Sequence, residues 1–134
     1  MKTFTSKTQK VGEKGEDIAV SFLKNKGFSI KERNYTKPWG EIDVIAESRG
    51  KVYFCEVKAV SCKTIPKNRS DLNRVYNPGE NITEEKLKKM FRTAQSYLIE
   101  NSMLENDNWS LNALIVFIDM EGKKSAVDFI ENIL

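Results

Sequence analysis

The sequence predicts an α/β fold, a mixed sheet flanked by helices, and three observations carry that expectation. Apolar residues recur at helical spacing over 8–26 and again after Thr83. Residues 28–35, 41–47 and 51–58 read as strands separated by turn residues. The run LNALIVFI at 111–118 is apolar almost throughout, as in a strand covered on both faces. Helix, three strands, helix, strand is an order that packs helices onto a sheet.

In the first helix, Val11, Gly15, Ile18, Ala19 and Phe22 form the apolar stripe, with Leu23 at its edge. Gly27 suits the position after a helix end, and Phe28 supplies the apolar residue that follows. FSIKERNY (28–35) alternates apolar and polar residues, and Pro38-Trp39-Gly40 breaks the chain. The next two strands join through a polar turn, either two residues at Arg49-Gly50 or four. Residues 61–81 contain Pro66, Pro78 and Gly79 and show little periodicity; a connection this long in a compact domain usually serves function. Thr83 is a suitable N-cap for a second helix, with Glu84 and Glu85 in its first turn and Leu87, Met90, Phe91, Ala94 and Leu98 as its stripe. Residues 125–134 suit a last strand or a short helix.

At 134 residues and 40% hydrophobic, the chain is expected to form one globular domain spanning 1–134. No apolar run approaches a membrane span, the N-terminal residues have no signal-peptide core, and Cys55 and Cys62 follow no disulfide or metal spacing. A cytoplasmic protein with reduced thiols is the expectation. The chain has no histidine, which excludes Ser/His/Asp and Cys/His nucleophile systems and HExxH zinc sites. The remaining chemistry is carboxylate and lysine, suited to hard cations such as Mg2+ or Mn2+. Net charge is +3, but residues 1–40 carry +5 and 61–92 carry +4, whereas 93–134 carry −5. Two basic segments thus flank the central strand pair, either as ordinary solvated surface or as a polyanion-binding face.

The central stretch WGEIDVIAESRGKVYFCEVK places Glu41, Asp43, Glu56 and Lys58 inside strands. Buried acids are costly unless something compensates them. Strand alternation puts Glu41, Asp43 and Ile45 on one face, and Phe54, Glu56 and Lys58 on one face of the next strand. Hairpin pairing with positions summing to 99 sets Asp43 opposite Glu56 and Glu41 opposite Lys58. Two carboxylates that close repel until a divalent cation joins them, and Lys58 would serve the attacking water or the phosphate. An ExK or GEID motif alone usually marks a solvated strand face; the two together at matching parity make a far stronger signal. Glu16 falls beside Leu23 at the flank of the helical stripe, as an interface charge or a third site acid; Glu13 and Asp17 point further into solvent.

These residues resemble the YraN-like family of predicted nucleases, in the restriction-endonuclease-like superfamily that includes archaeal Holliday-junction resolvases. The matching text is GEKGEDIA (12–19), Gly27-Phe28 with Arg33-Asn34, GEIDVIA (40–46) and CEVK (55–58), then Lys86-Leu87 and AQSYL (94–98). The resemblance implies an αβββαβ core and a PD-(D/E)xK site, with Glu16 as the first-helix acid, Asp43 and Glu56 as metal ligands and Lys58 as the catalytic lysine. Glu41 is the accessory acid of GEID. Where the family often has an arginine two residues after the EVK lysine, this chain has Val60, and its 61–81 segment is longer and more basic than usual. The expected function is Mg2+- or Mn2+-dependent endonucleolytic cleavage of DNA, branched or otherwise structured. Lys63, Lys67, Arg69, Arg74 and Lys86 would grip backbone phosphates. A homodimer would suit two-strand cleavage. The rivals are a non-catalytic nucleic-acid-binding module on the same scaffold, and a partner-binding protein working through its acidic last third.

Overall fold

The computed structural model describes residues 7–67, 82–119, 121 and 123–134. Its elements are α1 (Lys7–Asn25), β1 (Ser29–Lys37), β2 (Gly40–Ser48), β3 (Lys51–Ser61), α2 (Glu84–Glu100), β4 (Trp109–Asp119) and β5 (Lys124–Ile130). The first six make the expected αβββαβ core, and β5 settles the last segment as a strand. The five strands lie in the order β1-β2-β3-β4-β5, with β3 and β4 parallel and the other pairings antiparallel. Among the described residues no helix is long and apolar enough to cross a membrane.

Local chemistry explains the boundaries. Gly27 takes φ 93°, and the Phe28 N–H reaches back to the Leu23 carbonyl at 3.0 Å, closing α1 as the glycine predicted. Arg49 (φ 51°) and Gly50 (φ 78°) form a two-residue turn between Ser48 and Lys51, so the hairpin takes the tighter of its two options. At the start of α2 the Thr83 hydroxyl accepts the Lys86 N–H at 3.1 Å.

The helices cover opposite faces of the sheet. Val11, Ala19, Val20 and Leu23 of α1 pack on Val44, Ala46, Cys55, Leu114 and Val116. On the other face Met90, Ala94, Tyr97 and Leu98 of α2 pack on Ile42, Ile45, Val52, Phe54 and Leu111. A third cluster, Ala113, Ile115 and Phe117, is capped by Cys62, Ile65 and Ile82. Strand β4 is buried on both sides, as its composition predicted, and its one internal amide is fully used. Asn112 donates to the Phe54 and Ser110 carbonyls and accepts from the Ser110 hydroxyl and the Asn132 N–H.

One glycine sets how closely α1 approaches. A Cβ on Gly15 would lie 2.6 Å from the Ala59 Cβ of β3, so the helix sits against that strand with no room for a side chain. That contact brings the next residue, Glu16, to the sheet.

Candidate active site

Cross-strand pairing between β2 and β3 follows the expected register, from Ser48↔Lys51 to Val44↔Cys55. It stops there, so Asp43 and Glu56 are not ladder partners, nor are Glu41 and Lys58. Instead the Asp43 carboxylate turns toward β3 and accepts the Val57 N–H at 2.8 Å. A side chain occupies the place that a β2 carbonyl would otherwise take, and the two strands part at this point.

Strand β1 carries an irregularity at the same level. Arg33 pairs with Val44 and Tyr35 with Ile42, but neither Asn34 nor Asp43, which stand between those pairs, joins the ladder. Asn34 has φ 53°, a left-handed conformation that asparagine tolerates better than most residues. Alternation breaks here in both strands. Val44 and Ala46 face α1, whereas Ile42 joins Ile45 and Tyr35 on the α2 side. The expectation that Glu41, Asp43 and Ile45 share one face assumed unbroken alternation, and the irregularity replaces it.

The candidate residues therefore approach Asp43 from both sides of the sheet. Glu16 comes from α1, half-buried with its Oε1 shielded from water, as its helical position predicted; Glu13 and Asp17 are exposed, and Asp17 pairs with Arg33 at 2.8 Å. Glu56 lies on the α2 side, half-buried, with the Lys86 ammonium 3.6 Å from its Oε1. Lys58 and Glu41 are exposed. Burial is the largest cause that pushes the Asp43 carboxyl up to about 7; Glu16, Glu41 and Glu56 add repulsion, and only the Val57 N–H opposes them.

This donor set fits a hard divalent cation: oxygen ligands of one sign, with a charge that folding alone leaves under-compensated. Asp43 and Glu56 are the residues that would hold it. Among the described residues no three His, Cys, Asp or Glu side chains gather closely enough to hold a metal by themselves. Two carboxylates with waters and a phosphate is the arrangement that Mg2+ accepts.

Of the expected phosphate-gripping residues, Lys63 and Lys67 are exposed on either side of the packed Ile65. Lys86 is exposed but paired with Glu56, a contact that sequence reasoning missed. Arg69 and Arg74 lie outside the described residues. The left-handed Asn34 was missed as well. Its one sequence signal is an asparagine at the point where 28–35 should continue to alternate.

Residues 15–120 match the uncharacterised protein family UPF0102. A UPF0102 protein of Helicobacter pylori (strain P12) is 34% identical over 133 residues, covering 99% of this chain and 98% of the relative. One from Alkaliphilus oremlandii is 33% identical over 124 residues (92% and 97%), and one from a Sulfurovum species is 34% identical over 123 residues (91% of each). With the family match across most of its length and relatives alike from end to end, the chain belongs to UPF0102, the YraN-like family.

Proposed function

We propose that the protein is a divalent-cation-dependent endonuclease that hydrolyses DNA phosphodiester bonds, with branched or structured DNA as its substrate. The observation that carries this reading is Asp43, turned into the gap between β2 and β3 and pushed up to about 7 by its own burial and by three neighbouring acids. Such an arrangement weakens the fold at neutral pH unless a cation compensates it, so it is costly as mere architecture.

Asp43 and Glu56 would hold the cation, Mg2+ or Mn2+, which when bound would supply charge for the phosphate and acidify a water. Val57 fixes the Asp43 carboxylate by its N–H. Lys58, two residues beyond Glu56 on the same strand, donates to a phosphate oxygen or orients the water as charge develops. Glu16, positioned by the close α1–β3 contact, would accept a proton or a hydrogen bond from the attacking water.

A second reading, a nucleic-acid-binding module without catalysis, draws on the Lys86–Glu56 ion pair, which neutralises one of the two ligands internally. Cleavage of labelled linear duplex, single strand, flap and four-way junction in Mg2+ or Mn2+ separates the two. Wild-type cleavage, reduced at least about 100-fold in Asp43→Asn and Glu56→Gln, is the expected outcome. Salt-sensitive binding by all three proteins with no cleavage of any substrate would leave the binding module.

A further inference from the structure

Three basic residues of α2 form a row that begins beside Glu56. Lys86, Lys89 and Arg92 are all exposed and stand three residues apart, so each neighbours the next along a diagonal ridge that winds about a third of a turn around the helix over about 9 Å. The row begins at the candidate site, where Lys86 meets Glu56. It ends at the turn between β1 and β2, where the Arg92 guanidinium lies 4.5 Å from the centre of the Trp39 ring. Between these ends the turn is pressed against the helix. A Cβ on Gly40 would lie 2.5 Å from the Thr93 hydroxyl and 3.2 Å from the Lys89 carbonyl.

Trp39 is an odd choice for packing alone. Its indole N–H is shielded from water and meets no acceptor among the described residues, a penalty that phenylalanine would avoid. What the indole gives is a broad, electron-rich face. A guanidinium lying against an aromatic ring keeps its N–H edge available, and that edge matches a phosphate. Acids stand nearby: Glu84 and Glu85 pair with Lys88 and Lys89 at 3.8 and 3.6 Å. These are exposed pairs one helical turn apart, weak and easily screened, so a polyanion displaces them readily. Lys63 and Lys67 extend the same charge, because Ile65 between them packs in one cluster with Ile82, just ahead of α2.

We propose that Lys86, Lys89 and Arg92, with Trp39 backing the Arg92 guanidinium, form the track along which the nucleic-acid backbone leaves the Asp43–Glu56 site. The occupant is a phosphodiester strand. Lys86 exchanges Glu56 for a phosphate as the strand arrives, which frees the carboxylate for its cation. The track rests on the nucleic-acid reading above, though not on cleavage.

The test measures binding of a fluorescein-labelled duplex and a four-way junction by anisotropy across a salt series. Asp43→Asn serves as the parent, in EDTA, so that nothing is cut. Removing a phosphate contact lowers the slope of log affinity against log salt by about 0.9. The double variant Lys89→Gln/Arg92→Gln is expected to lower it by about 1.8, and Lys24→Gln on α1 to leave it unchanged. Trp39→Leu is expected to weaken binding and Trp39→Phe, which keeps a ring beneath Arg92, to restore it. Thermal melts confirm that each variant folds; Lys89 and Arg92, being exposed, tolerate glutamine. A parent that binds with a slope the double variant does not change overturns the track and leaves the endonuclease reading standing. A parent that shows no salt-dependent binding overturns both.

Discussion

A single carboxylate concentrates the chemistry of this molecule. Asp43 in the unfolded chain gives up its proton near pH 4, but in the folded chain it holds the proton to about 7. Between those values the folded state binds more protons than the unfolded state, so stability falls as pH rises and stays lower above 7. The loss attributable to this group is on the order of 4 kcal/mol. Urea denaturation in EDTA at pH 5 and pH 8 should show that decline in the wild type. Asp43→Asn, which can still accept the Val57 N–H, should flatten it and be the more stable protein at pH 8. Mg2+ or Mn2+ at pH 8 should raise the melting temperature of the wild type and not of the variant. Parallel pH profiles for the two proteins would show that Asp43 is ordinarily solvated.

At the scale of elements, the packing of α1 on β3 depends on an absent methyl group. Alanine is the better helix former by about 1 kcal/mol, so Gly15→Ala ought to stabilise α1 in isolation. Against Ala59 at 2.6 Å it must instead push the helix outward, and overpacking of this kind costs about 1–3 kcal/mol. We expect net destabilisation of up to about 2 kcal/mol by urea melts, with the Mn2+ affinity of the site reduced because Glu16 moves with the helix. Higher stability and unchanged Mn2+ binding would mean that α1 shifts freely. The helices and strands were legible because their periods are regular: Val11 to Leu23 on α1, and the apolar run of β4, predict their burial directly. The hairpin register was legible because two residues, Arg49 and Gly50, fix it. What alternation could not reveal is the place where alternation fails. Asn34 takes a left-handed backbone where it and Asp43 drop out of the β1–β2 ladder, and no hydrophobic pattern records a dihedral angle. The Lys86–Glu56 and Arg92–Trp39 contacts escaped because they join segments about 30 and 50 residues apart in sequence, which only tertiary packing brings together.

For the molecule as a whole, the central sheet separates two kinds of cysteine. Cys55 lies fully buried beneath α1, and burial pushes its thiol up to about 12; Cys62, just past the end of β3, is half-buried. A thiol reagent at pH 8 should therefore titrate one cysteine in the native protein and two in guanidinium. Two fast thiols in the native protein would contradict the placement of β3 in the core. The sheet order has a consequence of another kind, for assembly. Every strand lies beside its predecessor in the chain, so three of the four pairings close over short connections, and only β3 with β4 must wait for the long crossover through α2. The hairpins that aim Asp43 at Val57 can form early and locally, whereas Lys86, Lys89 and Arg92 take their places only when that crossover closes. A nascent or partly unfolded chain would thus gather the acids of its site before the cations of α2 are in place, and a strand would find no path from that site until the crossover closes.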